Sequence, residues 1–211
     1  MYKTKAVDKD SIKSFLHNLS IPQLSKEQKL SCEGQITIEE CKNILETFQN
    51  IKSPGNDRIP IEFYKNCWDL IRQPFINCIN ESFVKEEMSN SQKQAVITLI
   101  ENQGKDRPLI ENWTPISLVN VDAKIISKVI ASRIKMFYQE KMTYIIHSNQ
   151  TGYRYIGETV RSILDIMDFT EKENIPGLVI FIDFRKAFDT LEWNFLFNCL
   201  DAFNFGHEFK R

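Results

Sequence analysis

Helical spacing of apolar positions dominates this chain, with one clear stretch of strand character. Ile12, Phe15, Leu16 and Leu19 share a helical face, and Ile21-Pro22 ends that segment because proline disfavours helix in the residue before it. Thr37-Ile38-Glu39-Glu40 has the form of a capping box ahead of the stripe Ile44, Leu45 and Phe48. Residues 1–50 thus read as two helices. Pro60 opens a helix carrying Phe63, Tyr64, Cys67 and Trp68, and Pro74 opens another with Phe75, Ile76, Ile79 and Phe83 inward. Residues 93–100 are rich in strand-forming side chains; a polar loop, 101–113, and a short second strand near Thr114–Leu118 follow. Asp122 to about Lys141 is a long amphipathic helix, its apolar face formed by Ile125, Ile126, Val129, Ile130, Ile134 and Phe137. A further helix runs from about Glu158 to Lys172 with Val160, Ile163, Leu164 and Met167 inward. Pro176-Gly177 then leads into the unbroken apolar run Leu178–Ile182, which suits a strand buried on both faces. Leu191–Leu196 starts a last helix with Leu200 and Phe203 on its apolar side.

Composition adds limits. The 211 residues are 42% hydrophobic and 26% charged, ordinary for a soluble globular chain. No apolar run approaches the roughly 18 residues of a membrane span. The lysine-rich start lacks the apolar centre of a secretory signal. Five scattered cysteines (32, 41, 67, 78, 199), with no CxxC, read as reduced thiols of an intracellular protein, cytoplasmic or nuclear, and not as a zinc site. The formal net charge is -1, and residues 85–141 carry nine Lys and Arg against seven Asp and Glu. The middle of the chain is therefore only mildly basic, which argues against a tight grip on nucleic acid by this piece alone.

Chemistry is most legible at the end of the apolar run. Asp183 ends it, where a carboxylate is costly to bury unless it is paired, hydrogen-bonded or bound to a metal. Asp189 follows six residues later, after Ala187-Phe188. Two readings fit the spacing: a strand followed by a helix capped by Asp189, or a carboxylate placed for a hard divalent cation and phosphoryl chemistry.

The run Phe181-x-Asp183-x-x-x-Ala187-Phe188-Asp189 resembles the first catalytic motif of reverse transcriptases, motif A. Lys52-Ser53-Pro54-Gly55-Asn56-Asp57, Asn112-Trp113-Thr114-Pro115-Ile116-Ser117-Leu118 and Gln150-Thr151-Gly152-Tyr153-Arg154 come in the order and rough spacing of non-LTR (LINE-type) retrotransposon reverse transcriptases. The resemblance implies an α+β fold, mostly helical, with a small antiparallel fingers hairpin and the first strand of an incomplete palm. It divides the chain into a helical extension (1–50), a fingers and template-contacting region (51–176) and the start of the palm (177–211).

The resemblance also implies roles. Asp183, with the backbone carbonyl of Phe184, would hold Mg²⁺; Phe188 matches the position whose ring blocks a ribose 2′-OH. Lys105 and Arg107 stand in the loop that closes over the nucleotide. Lys124, Lys128, Arg133 and Lys135 on the long helix, and Arg154, become candidate phosphate contacts. The implied partners are an RNA template, a DNA primer and a dNTP, with no membrane. Several positions depart from the family pattern. Asn102 and Thr114 stand where the family has Lys and Arg, Arg58 where it has Gly, and Tyr153 runs straight into Arg154. No Asp-Asp pair, the family's later metal-binding motif, occurs in the chain. The expectation is a truncated RNA-directed DNA polymerase, inactive alone, or else a non-catalytic nucleic-acid-binding remnant. Apolar surface is expected to be exposed around 178–184.

Overall fold

The computed structural model describes residues 8–104, 106–141, 156–180 and 190–210. The chain divides into two units, one of Leu24–Met136 with Asn204–Arg211, the other of Met1–Gln23 with Phe137–Phe203.

In the larger unit the capping box at Thr37 is realised. The Glu40 backbone N–H donates to Thr37 Oγ1 at 3.2 Å, and the Thr37 N–H donates to Glu40 Oε2 at 2.9 Å, opening α3 (Ile38–Thr47). A second box, Ser25 with Gln28, opens α2 (Lys26–Cys32). Among the described residues the first fifty therefore hold three helices, α1 (Lys9–His17) included, and not two. α2 escapes a reading by apolar stripe because Cys32 is its one buried residue and Leu30 is exposed.

The two helices expected around Pro74 are one. α4 runs unbroken from Ile61 to Lys85 with Pro74 inside it. Proline removes the hydrogen bond to the carbonyl four residues back, that of Leu70. Leu70 is exposed, so water can take the place of that bond. Packing then holds the two halves together. Phe75 lies edge-on to Tyr64 and to Trp68, with ring centroids 5.9 and 5.7 Å apart. Tyr64, Trp68, Ile76 and Ile79 are buried against Leu45 of α3 and against Ile125 and Val129 of α5 (Val121–Lys141). Burial of such aliphatic and aromatic groups, about 1.5–3 kcal/mol each, exceeds the cost of the missing bond.

β1 (Ala95–Glu101) and β2 (Trp113–Val119) form a two-stranded antiparallel hairpin, in register from Ala95↔Val119 to Glu101↔Trp113. Both faces are partly open: Ile97, Leu99, Ile100 and Ile116 are all exposed.

In the smaller unit α1 (Lys9–His17) packs on α7 (Trp193–Ala202) through buried Ile12 and Leu16. α1 stops short of Ile21-Pro22, and Phe15 and Leu19 are exposed. α6 (Ile156–Lys172) forms where expected, but Val160, Leu164 and Met167 are exposed and not inward. Periodicity marks which side of a helix is apolar; a covering partner is a separate matter. Leu178, Val179 and Ile180 are exposed, as anticipated, and residues 177–180 take no regular secondary structure. The remainder of the expected palm strand lies outside the described residues. Among the described residues no helix is long and apolar enough to cross a membrane.

Candidate nucleic-acid and nucleotide interface

The hairpin carries one end of the candidate site. At its distal end Thr114 Oγ1 donates to Asn102 Oδ1 at 2.7 Å. The two positions where a cation was expected thus face each other as a neutral hydrogen-bonded pair. Beside them Arg107 Nε donates to Glu101 Oε1 at 2.7 Å. That bond raises the Arg107 pKa, so its charge is fixed but already engaged. The loop between the strands is tied down further. Trp113 Nε1 donates to the Arg107 carbonyl at 2.9 Å, and Asn112 Nδ2 to that of Asp106 at 2.9 Å. Lys105 lies outside the described residues.

The opposite, open end of the hairpin meets the loop 52–58 and the first turn of α5. Gly55 sits so close to Asn120 that a Cβ there would stand 2.1 Å from Asn120 Oδ1 and 2.5 Å from its backbone N. Only glycine fits without moving the backbone. Three residues on, Arg58 has φ +60°, the left-handed region that glycine takes without strain. The position that resembles a family glycine therefore does need positive φ, and arginine holds it under strain.

Three ammonium groups meet the segment Phe48–Ser53 that follows α3. Lys128 Nζ lies 3.9 Å from the centroid of the Phe48 ring. Lys65 Nζ donates to the Phe48 carbonyl at 2.6 Å and to Asn50 Oδ1 at 2.9 Å. Lys124 Nζ comes within 3.5 Å of the Ser53 carbonyl. Lys124 and Lys128 are one turn apart on α5, so they share a face.

Arg133, also expected on the solvated face of α5, is buried. Nε donates to Glu40 Oε1 at 2.7 Å and Nη2 to Glu40 Oε2 at 2.9 Å. Nη1 donates to the carbonyls of Cys32 (3.1 Å) and Gly34 (2.9 Å), and Nη2 to that of Gln35 (3.0 Å). All five N–H donors are used, so this guanidinium is no phosphate contact. Burial alone would raise the Glu40 carboxyl; the Arg133 hydrogen bond, the Thr37 N–H and the Arg133 charge outweigh it and hold the group below the usual range. Burial pushes the Cys41 thiol up to about 12 and also raises that of Cys32, which keeps both protonated.

Asp183, Phe184, Phe188 and Arg154 lie outside the described residues. Among the described residues no three His, Cys, Asp or Glu side chains are placed to hold a metal ion. A residue that pattern reading passed over is Asn120. Its signal was available as a single amide between Leu118-Val119 and Val121, just ahead of a helix.

The model of one protein family, reverse transcriptase (RNA-dependent DNA polymerase), matches residues 100–210. The chain belongs to the reverse transcriptase family. The match begins at Ile100, so it takes in the hairpin tip, β2 and α5. Relatives extend the likeness further. The chain is 33% identical over 192 residues to the transposon TX1 uncharacterized 149 kDa protein of Xenopus laevis, which covers 90% of this chain and 14% of that protein. It is 27% identical over 160 residues to a probable RNA-directed DNA polymerase from transposon BS of Drosophila melanogaster, covering 73% of this chain and 17% of the relative. It is 25% identical over 159 residues to the RNA-directed DNA polymerase from the mobile element jockey of the same fly, with the same coverage. The chain spans between 14% and 17% of the length of these relatives.

Proposed function

We propose that the chain is the fingers side of a non-LTR retrotransposon's RNA-directed DNA polymerase, and that these 211 residues alone do not copy RNA. The observation that supports this most directly is the Asn102–Thr114 pair. A triphosphate carries several negative charges and needs cations to offset them, Arg being suited to a bidentate grip. Here the distal end of a reverse-transcriptase hairpin offers a neutral amide and hydroxyl, and Arg107 beside it is bound to Glu101.

In this reading Asp183, with the Phe184 carbonyl, is one half of a Mg²⁺ site, and Phe188 screens the sugar. Phosphoryl transfer needs two such ions about 3.5–4 Å apart. One carboxylate does not hold both, and the chain has no Asp-Asp pair to add. Magnesium, when bound, would activate the attacking hydroxyl and steady the leaving phosphate; this chain's share is to present the carboxylate and position template and nucleotide. The partners are an RNA template, a DNA primer and a dNTP, with Lys105 and Arg154 as further contacts. The setting is the cell interior, cytoplasmic or nuclear. Primer extension on an RNA template with Mg²⁺ and dNTPs tests the proposal. No incorporation is expected, and incorporation that disappears in Asp183→Ala would overturn it.

A non-catalytic reading draws on a different observation, the three ammonium groups around Phe48–Ser53. They would track a phosphate backbone without chemistry. Titration of a single-stranded RNA at several salt concentrations tests it. Log affinity is expected to fall with log salt, less steeply once Lys124 or Lys128 is removed; a flat profile would refute any phosphate groove.

A further inference from the structure

Asn120 makes a set of contacts out of proportion to its size. It is 1% exposed and stands at the junction of β2 and α5. Its Oδ1 accepts the Asp57 N–H at 3.2 Å, while Nδ2 donates to the Ser91 carbonyl at 2.9 Å and to Ser91 Oγ at 3.0 Å. Its own carbonyl accepts the Lys124 N–H at 3.1 Å. One amide thus ties two distant pieces of chain, the loop 53–58 and the turn before β1, to the start of α5. Gly55 packs flat against it. Asn56 Nδ2 adds a second tie to the hairpin base, donating to Gln94 Oε1 at 2.8 Å.

A buried amide has donors and an acceptor to satisfy, and each left unmet is costly. Asn meets both demands here with one side chain. Asp would keep the acceptor facing Asp57 N–H but set a carboxylate against the Ser91 carbonyl. Leu would meet neither. The side chain is therefore chosen for linking the loop to the hairpin, because a cap for α5 alone would be served as well by Ser or Asp.

We propose that Asn120 is a positioning residue: it holds the loop 53–58 rigidly against the hairpin base, and through the Ser53 carbonyl sets where the Lys124 ammonium meets a nucleic-acid phosphate. The second half of this statement rests on the reading of Lys124 as a phosphate contact. The first half stands on geometry alone.

The test uses the full chain with Asn120→Asp, Asn120→Leu and Gly55→Ala, the last forcing the loop off Asn120 while leaving that residue unsubstituted. Hydrogen exchange at the Asp57 amide reads the link directly. It is expected to quicken about tenfold or more in Asn120→Leu and Gly55→Ala, the effect of losing one hydrogen bond, and less in Asn120→Asp, which keeps the acceptor. Unchanged exchange overturns the proposal. Should the Asn120 variants fail to fold, Gly55→Ala decides the matter by itself. The single-stranded RNA titration reads the coupling. Lys124→Ala is expected to weaken binding several-fold in the unaltered chain and to have no further effect beside Gly55→Ala; equal weakening in both backgrounds overturns the positioning role. If the unaltered chain shows no salt-dependent affinity, the nucleic-acid reading fails and the role assigned toward it falls. Asp57 exchange then still shows whether the link itself is real.

Discussion

Thr114 and Asn102 are joined by a 2.7 Å hydrogen bond across the distal end of the hairpin, at two positions where the family pattern sets a pair of cations. Like charges placed so close would repel in the absence of an anion, whereas the present pair satisfies itself. A neutral pair offers a triphosphate no cation. Replacing both, Asn102→Lys with Thr114→Arg, is expected to tighten binding of a fluorescent dNTP analogue by about thirtyfold, since each partly exposed charge-assisted contact contributes on the order of 1 kcal/mol. Equilibrium fluorescence titration at low salt checks this, and equal affinity of the two chains would remove the pair from the argument.

Arg133 should dominate the stability of the larger unit. Arg133→Ala leaves three carbonyls and the Glu40 carboxylate without their donor. A loss of about 3 kcal/mol is expected from urea unfolding, at the low end for a broken buried pair because Glu40 is 31% exposed. Arg133→Lys should recover little, since an ammonium has three donors and no fork.

The same pair sets a pH dependence. The Glu40 pKa in the folded chain lies below its ordinary value of 4.5. A lowered carboxyl favours the folded state above the unfolded pKa, and that contribution fades as pH falls through the folded one. Stability measured by thermal melts should therefore hold near neutrality and drop below about pH 4.5. Glu40→Gln should flatten the drop, and an unchanged acid limb in that variant would exclude Glu40 as its cause.

Arg58→Gly is expected to stabilise the chain by roughly 1 kcal/mol, less the small extra entropy glycine brings to the unfolded state. The left-handed φ of +60° is the reason. A lower melting temperature in this variant would show that the arginine side chain contributes more than its backbone strain costs.

Much of the secondary structure was legible because it depends on near neighbours. The capping box at Thr37 is settled within four residues, and the period of Ile125, Ile126 and Val129 within one turn and a half. The strands at 95–101 and 113–119 follow from β-branched side chains on either side of a polar loop. Where local rules misled, a distant contact had prevailed. Pro74 is a helix boundary by local rules, yet Phe75 reaches back to Tyr64 and Trp68 and holds α4 continuous.

The candidate site divides along the same line. Residue types and their order sufficed for the family and for the missing charges at Asn102 and Thr114. They could not show that these two side chains touch, that Arg133 is buried beneath Glu40, or that Asn120 joins Asp57 to Ser91. Arg133 and Lys128 are both cations on one helix, and spacing alone treats them alike. One meets a cage of carbonyls ninety-odd residues away in sequence and the other an aromatic ring. Sequence by itself determined the elements and the chemistry at hand, because propensity and capping are short-range. Tertiary structure decided which charges are engaged and which remain to meet a ligand, because desolvation and pairing depend on what the folded chain brings alongside.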